Sequence, residues 1–256
     1  MWIDSHAHLE MDAFDPDRPQ VIERAFNQGI KRIITIGTDL DSSRKALALA
    51  KAYPDIWATV GVHPHDAASF NPEILPQLIK LAGEPKVVAL GEIGLDFYRN
   101  LSPQKVQKET FRRLIQLARE AALPIIIHDR EAHKEVLTIL REEKAEEIGG
   151  VFHCFSGDWE MAKQCLDLNF FLSITGAVTY KKGSVLEKVV RQAPIESLLI
   201  ETDAPYLAPH PFRGKRNEPS YLVHTAEHVA RLRGISLDEL SQANLNNTRR
   251  AFKRMT

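Results

Sequence analysis

The chain has 256 residues, 44% apolar and 26% charged, which fits a globular protein that buries a core without disulfide staples. Its 33 basic and 34 acidic side chains nearly cancel, which excludes a general binder of polyanions held by bulk charge. Two cysteines, Cys154 and Cys165, are too few for a secreted disulfide framework and point to a reducing cytoplasm. The opening MWIDSHAHLE lacks the basic and apolar regions of a signal peptide. No stretch approaches the roughly 20 apolar residues of a membrane span.

In chain order, an expected strand at residues 2–4 precedes a helix at 19–28. A strand at 32–36 leads to a helix at 42–52. Strands at 57–62 and 87–91 follow, each with helical spacing or a loop behind it. A long helix at 102–122 precedes a strand at 124–128 and a helix at 130–143. Strands at 150–153, 170–174 and 198–201 bring the number to eight. Helices at 222–232 and from about Ser236 end the chain, where Ser236 and Glu239 have the spacing of a capping box. Strands alternating with helices imply βαβ units and a parallel sheet. Eight units at this length give an α/β fold, a (β/α)8 barrel in a single domain over residues 1–256. A doubly wound open sheet is the alternative. The loop at 204–220, APYLAPHPFRGKRNEPS, is long enough to expect a function for it.

The expected strands end on metal-type residues. Asp4, His6 and His8 end the first; His63 and His65 follow the third; Glu92, His128 and His153 end the fourth, fifth and sixth; Glu201 and Asp203 end the eighth. In a parallel barrel these ends share one face, the face that carries active sites. Residues i and i+2 of a strand point the same way, so His6 pairs with His8 and Glu201 with Asp203. Asp4 has the parity of His6 but lies deeper, which favours structural support over ligation. A single histidine at a strand end is usually a packed residue. Six such residues at five strand ends are hard to explain as packing, because a buried imidazole or carboxylate is costly without a partner.

The ordered motifs resemble the TatD family of metal-dependent nucleases, among the amidohydrolase-like barrels. They are DSHAHL at 4–9, GVHPH at 61–65, GEIGLDFY at 91–98, PIIIHDR at 124–130, FHCFSG at 152–157, ETDAPYL at 201–207 and RGKRNEPSY at 213–221. The resemblance implies a (β/α)8 barrel with two divalent ions. It implies that His6, His8 and Asp203 hold the first ion with Glu92, and that Glu92 bridges to a second held by His128 and His153. Imidazole suits zinc and carboxylate suits magnesium or manganese; the resemblance implies activity with magnesium.

The chemistry expected of this set is phosphodiester hydrolysis at DNA ends, a 3′-5′ exonuclease on single-stranded DNA or RNA. Two cations can clamp the attacking and leaving oxygens of an in-line displacement. Asp203 is expected to orient or deprotonate the water, Glu92 to fix the spacing of the ions, and Glu201 either to support a ligand or a water or to form an ion pair inside the barrel. His63 is expected to contact a phosphate or to brace a ligand, Arg130, Lys215, Arg216 and Asn217 are the expected phosphate contacts, and Tyr206 or Tyr98 is expected to stack a base or to serve as packing. Cys154 is expected to turn away from the site, and the pair His224 and His228 to lie on a solvated or packed helix face. Nothing in the sequence calls for more than a monomer. The alternatives are an amidohydrolase or esterase on a small substrate, or a metal- or nucleic-acid-binding module without turnover.

Overall fold

A computed structural model describes residues 1–71 and 73–255. The strands are β1 (Trp2–Ala7), β2 (Ile30–Thr35), β3 (Ile56–Val60), β4 (Val87–Asp96), β5 (Ile125–Arg130), β6 (Gly150–Phe152), β7 (Phe170–Ile174) and β8 (Leu198–Ile200). The helices are α1 (Arg18–Asn27), α2 (Leu40–Ala52), α3 (Leu75–Ala82), α4 (Gln104–Glu120), α5 (His133–Glu142), α6 (Trp159–Asp167), α7 (Val185–Gln192), α8 (Leu222–Arg233) and α9 (Leu237–Ala251).

The strands pair in sequence order, β1 to β8, all parallel. This is the expected (β/α)8 barrel, not the open doubly wound sheet. Valine and isoleucine dominate the strands because both faces are buried. One face packs under the helices. The other fills the barrel with Ile3, Ile34, Val88, Ile126, Val151 and Leu199. Phe252 and Met255, just beyond α9, join that inner cluster and close it from the N-terminal end. Local chemistry starts the helices: Asp39 and Ser42 form a reciprocal capping box on α2, and Asp158 caps α6. Ser236 accepts from the Glu239 N–H, one arm of the expected capping box.

The seam between β8 and β1 closes at the mouth. Asp203 N donates to His6 O at 2.9 Å, and His8 N donates to Ala204 O at 2.7 Å. The segments that carry the site residues therefore also complete the barrel.

Two bulges correct the simple parity reading. β1 carries one extra residue between Asp4 and Ala7 relative to β2, and β4 carries one between Leu90 and Ile93 relative to β5. A bulge bends a strand and re-aims its side chains, often at a barrel rim. Asp4 is thereby out of phase with His6. Its carboxylate turns to the seam and accepts from Thr202 N at 3.0 Å and Thr202 Oγ1 at 2.6 Å. The expected support role stands, with a different orientation. Burial pushes the Asp4 carboxyl up to about 7, against the opposing Thr202 bonds.

Candidate metal centre

Glu92 occupies the middle of the mouth, buried on β4. Its two carboxylate oxygens face different neighbours. Oε1 lies 2.7 Å from His128 Nδ1, 2.9 Å from His153 Nε2 and 3.4 Å from His63 Nε2. Oε2 lies 3.4 Å from His6 Nε2 and 3.8 Å from His8 Nε2. Gly94, with φ 142°, lets β4 run against β5 here: a Cβ on it would meet His128 O at 2.0 Å.

Asp203 approaches from the β8 side, its Oδ1 3.4 Å from His8 Nε2 and 3.7 Å from His6 Nε2. Glu201 faces His153, with Oε1 3.3 Å from Nδ1, and also accepts the Cys154 N–H at 2.6 Å. β8 ends at Ile200, so strand alternation does not govern these two carboxylates. Asp203 reaches the site from a left-handed backbone, φ 55°, a conformation that aspartate tolerates better than most residues.

The spacing fits divalent ions. Donors at about 2.0–2.2 Å from one tetrahedral ion lie about 3.3–3.6 Å apart. His6 Nε2 and His8 Nε2 are 3.3 Å apart. Ligand atoms of His6, His8 and Asp203 all fall within 4.8 Å of one another, as do those of His63, Glu92 and His128, and those of His6, His153 and Glu201. Buried His6 Nδ1 and Glu201 Oε2 have no hydrogen-bond partner. Among the described residues no lysine or arginine pairs with Glu92, Glu201 or Asp203; their cationic contacts are imidazoles alone.

The proton affinities agree. Burial opposes a charge on Glu92, but the imidazoles of His153, His63 and His128 outweigh it and hold its carboxyl well below the usual range. Asp203 is lowered in the same way, burial being outweighed by His8, His153 and His6. Burial and the neighbouring His128 bring His63 down to about 4, and burial with His153 lowers His6. His8 and His153 go the other way: burial opposes their charge, but Asp203 and Glu10 beside His8, and Glu92 and Glu201 beside His153, raise both well above the imidazole range. Protons shared between imidazoles and carboxylates are those a divalent ion displaces on binding.

All six residues expected as metal holders thus meet in one cluster, with His63 and Glu201 drawn into it. Two carboxylates were missed. Asp96, buried at the end of β4, lies 2.8 Å from His65 Nε2 and 3.2 Å from His128 Nε2. Glu10 lies 3.4 Å from His8 Nδ1 and accepts from Thr35 Oγ1 at 2.7 Å. Asp96 stands inside the GEIGLDFY motif, but the expected strand stopped at Gly91, which hid its place on the same face. Glu10 has the i+2 spacing to His8, the one signal that pointed to it.

The expected substrate residues divide. Arg130 is exposed on the rim, its guanidinium 4.3 Å from the Tyr98 ring centroid. Tyr206 is half exposed, with its ring 6.1 Å from that of His8. Lys215 lies exposed beside Phe212. Two expectations change. Arg216 is engaged elsewhere, bonding Asp17 at 2.7 and 2.9 Å and the Ala13 carbonyl at 2.7 Å. Asn217 is fully buried; its amide donates to Thr202 O and Tyr206 O, and its oxygen accepts from Glu218 N. Both shape the loop. Cys154 bonds Glu201 through its backbone N–H, and its Sγ lies 3.8 Å from Thr175 Oγ1. His224 and His228 face separate carboxylates, Glu227 and Glu187.

Known proteins are similar over nearly the whole chain. The profile of the family described as TatD related DNase matches residues 3–253. A Bacillus subtilis protein named uncharacterized metal-dependent hydrolase YabD is 45% identical over 253 residues, 99% of each chain. A Salmonella typhimurium protein named 3′-5′ ssDNA/RNA exonuclease TatD is 39% identical over 255 residues, 98% of each chain. The crystal structure of YjjV, a TatD homologue from Escherichia coli, superposes with a TM-score of 0.93 at 32% identity, covering 98% of both chains. The chain belongs to the TatD family and is a metal-dependent hydrolase.

Proposed function

We propose that the protein hydrolyses phosphodiester bonds at the 3′ ends of single-stranded DNA or RNA, with two divalent ions sharing Glu92. The observation that carries this reading is the split carboxylate: Glu92 Oε1 faces His63, His128 and His153 while Oε2 faces His6 and His8. One carboxylate is thereby offered to two donor groups. His6, His8 and Asp203 would hold one ion with Glu92, and His128 and His153 the other. When bound, the pair supplies positive charge for the attacking and leaving oxygens and makes water a better nucleophile near neutral pH. Magnesium or manganese suits the carboxylates, and zinc the imidazoles.

The chain's own groups supply the rest. Asp203 stays ionised and accepts the proton of the attacking water. Glu201 sets a carboxylate behind the His153 ring, its Oε1 3.3 Å from Nδ1. His63 sits against Glu92 with its Nδ1 accepting the His65 N–H at 3.1 Å, which leaves Nε2 facing the reaction space. Arg130 and Lys215 on the rim bind flanking phosphates, and Tyr206 stacks a base beside His8. The relative named a 3′-5′ ssDNA/RNA exonuclease supports the substrate class. The free thiols of Cys154 and Cys165 suit the cytoplasm, and the chain acts as a monomer.

A single-stranded oligonucleotide labelled at its 3′ end tests this. With magnesium or manganese the label is released as mononucleotide, and chelator stops the release. No released nucleotide, together with turnover of amide or carboxylic ester substrates, would replace the phosphodiesterase with an amidohydrolase. Binding without any turnover would leave a binding module.

A further inference from the structure

Asp96 is fixed on every side. Its backbone N–H donates to Gln107 Oε1 at 2.9 Å, and its carbonyl accepts from Gln107 Nε2 at 3.2 Å, both from buried Gln107 on α4. The carboxylate oxygens then divide their work. Oδ1 accepts the Arg99 N–H at 2.7 Å and closes the turn after β4. Oδ2 faces two imidazoles, His65 Nε2 at 2.8 Å and His128 Nε2 at 3.2 Å. The other nitrogen of His128, Nδ1, faces Glu92 Oε1 at 2.7 Å.

A neutral imidazole carries one N–H and one lone pair, so an acceptor at one nitrogen selects the tautomer that bares the other. An acceptor at Nε2 puts the proton there and leaves the Nδ1 lone pair turned to the cluster. The same oxygen fixes His65, whose backbone N–H binds His63 Nδ1 and leaves His63 Nε2 facing Glu92. One buried oxygen thus meets His128 directly and His63 through the backbone of His65.

We propose that Asp96 is a positioning residue of the metal centre, which through Oδ2 sets the tautomer of His128 and the seat of His65, and so readies the Glu92 and His128 side for its ion, with the Nε2–H of His63 turned to Glu92.

The division between the two oxygens supplies a clean test. In Asp96→Asn the amide oxygen can keep the Arg99 N–H, while the NH2 in place of Oδ2 can no longer accept from His128 or His65. In Asp96→Ala both roles are lost. Chelator-treated protein is titrated with Mn2+ by calorimetry and with Co2+ by visible absorption, and the melting temperature of the ion-free protein is recorded. The expected result for Asp96→Asn is one ion bound about 10–100-fold more weakly, an altered Co2+ spectrum and an unchanged ion-free melting temperature. Mn2+ affinities within twofold of wild type with the same Co2+ spectrum would overturn the proposal. A loss of affinity in Asp96→Asn accompanied by the same drop in ion-free melting temperature as in Asp96→Ala would overturn it too, leaving the turn as the only role. Ion titration needs no phosphodiester substrate, so a failed nuclease assay and a failed titration are separate results.

Discussion

At Asp203 two requirements meet in one side chain. The carboxylate must stay ionised while buried, and His8, His153 and His6 keep it so against desolvation. Its Oδ1 also faces His6 at the end of β1 and His8 just beyond it, so in the proposed function proton acceptance and ion holding fall to the same carboxylate. Asp203→Asn keeps the size and loses the charge. The expected result is a fall in kcat of about 10²–10⁴-fold, the span of a positioned general base, with the circular dichroism spectrum retained. Wild-type turnover in the variant would remove Asp203 from the reaction. The identity of such residues was legible in the sequence because each stood at the end of an apolar strand, where packing alone does not call for imidazole or carboxylate. Asp96 and Glu10 were not legible in the same way. Each acts behind a histidine, and only the folded chain shows which carboxylate stands behind which ring.

The 204–220 loop shows what an element adds to its residues. Its run of basic side chains invited a reading as a phosphate clamp, yet Arg216 latches the loop to α1 through Asp17, and Asn217 ties it to the end of β8. The two ties differ in energy. Arg216 is partly exposed, and an exposed ion pair is worth at most about 1 kcal/mol. Arg216→Ala should therefore leave the melting temperature and metal content almost unchanged and raise KM for oligonucleotides through a looser loop. Unchanged kinetics would show that the latch has no bearing on substrate. Asn217→Ala empties a buried site and leaves two carbonyls and one N–H without partners, at about 1–3 kcal/mol for each unsatisfied group. Thermal unfolding should report that loss even with ions bound, and a melting temperature equal to wild type would contradict the buried role. Strands were legible because their apolar runs are continuous. The bulges in β1 and β4 were not, since an extra residue in one partner leaves no mark in hydrophobic pattern. The short helices α3, α6 and α7, of 8, 9 and 8 residues, were legible only as helix or loop, because so few turns give little periodicity.

Across the whole molecule the barrel separates stability from chemistry. The mouth gathers buried imidazoles and carboxylates that could hold ions. The other end is sealed by apolar side chains from the C-terminal segment, Phe252 and Met255. Phe252→Ala should cost about 3–5 kcal/mol of stability while leaving Mn2+ affinity unchanged below the unfolding transition, and a change in ion affinity would show that the two ends are coupled. The near-neutral net charge has a consequence at this scale as well: affinity for nucleic acid must come from the rim and the ions, not from bulk electrostatics. The proposed function turns on one carboxylate, Glu92, being shared by two ions. Calorimetric titration of chelator-treated protein with Mn2+, wild type beside Glu92→Gln, tests it most directly. Two ions per wild-type chain, both weakened in Glu92→Gln, is the predicted result; a single ion per wild-type chain, or a variant that keeps one site at full affinity, would contradict it.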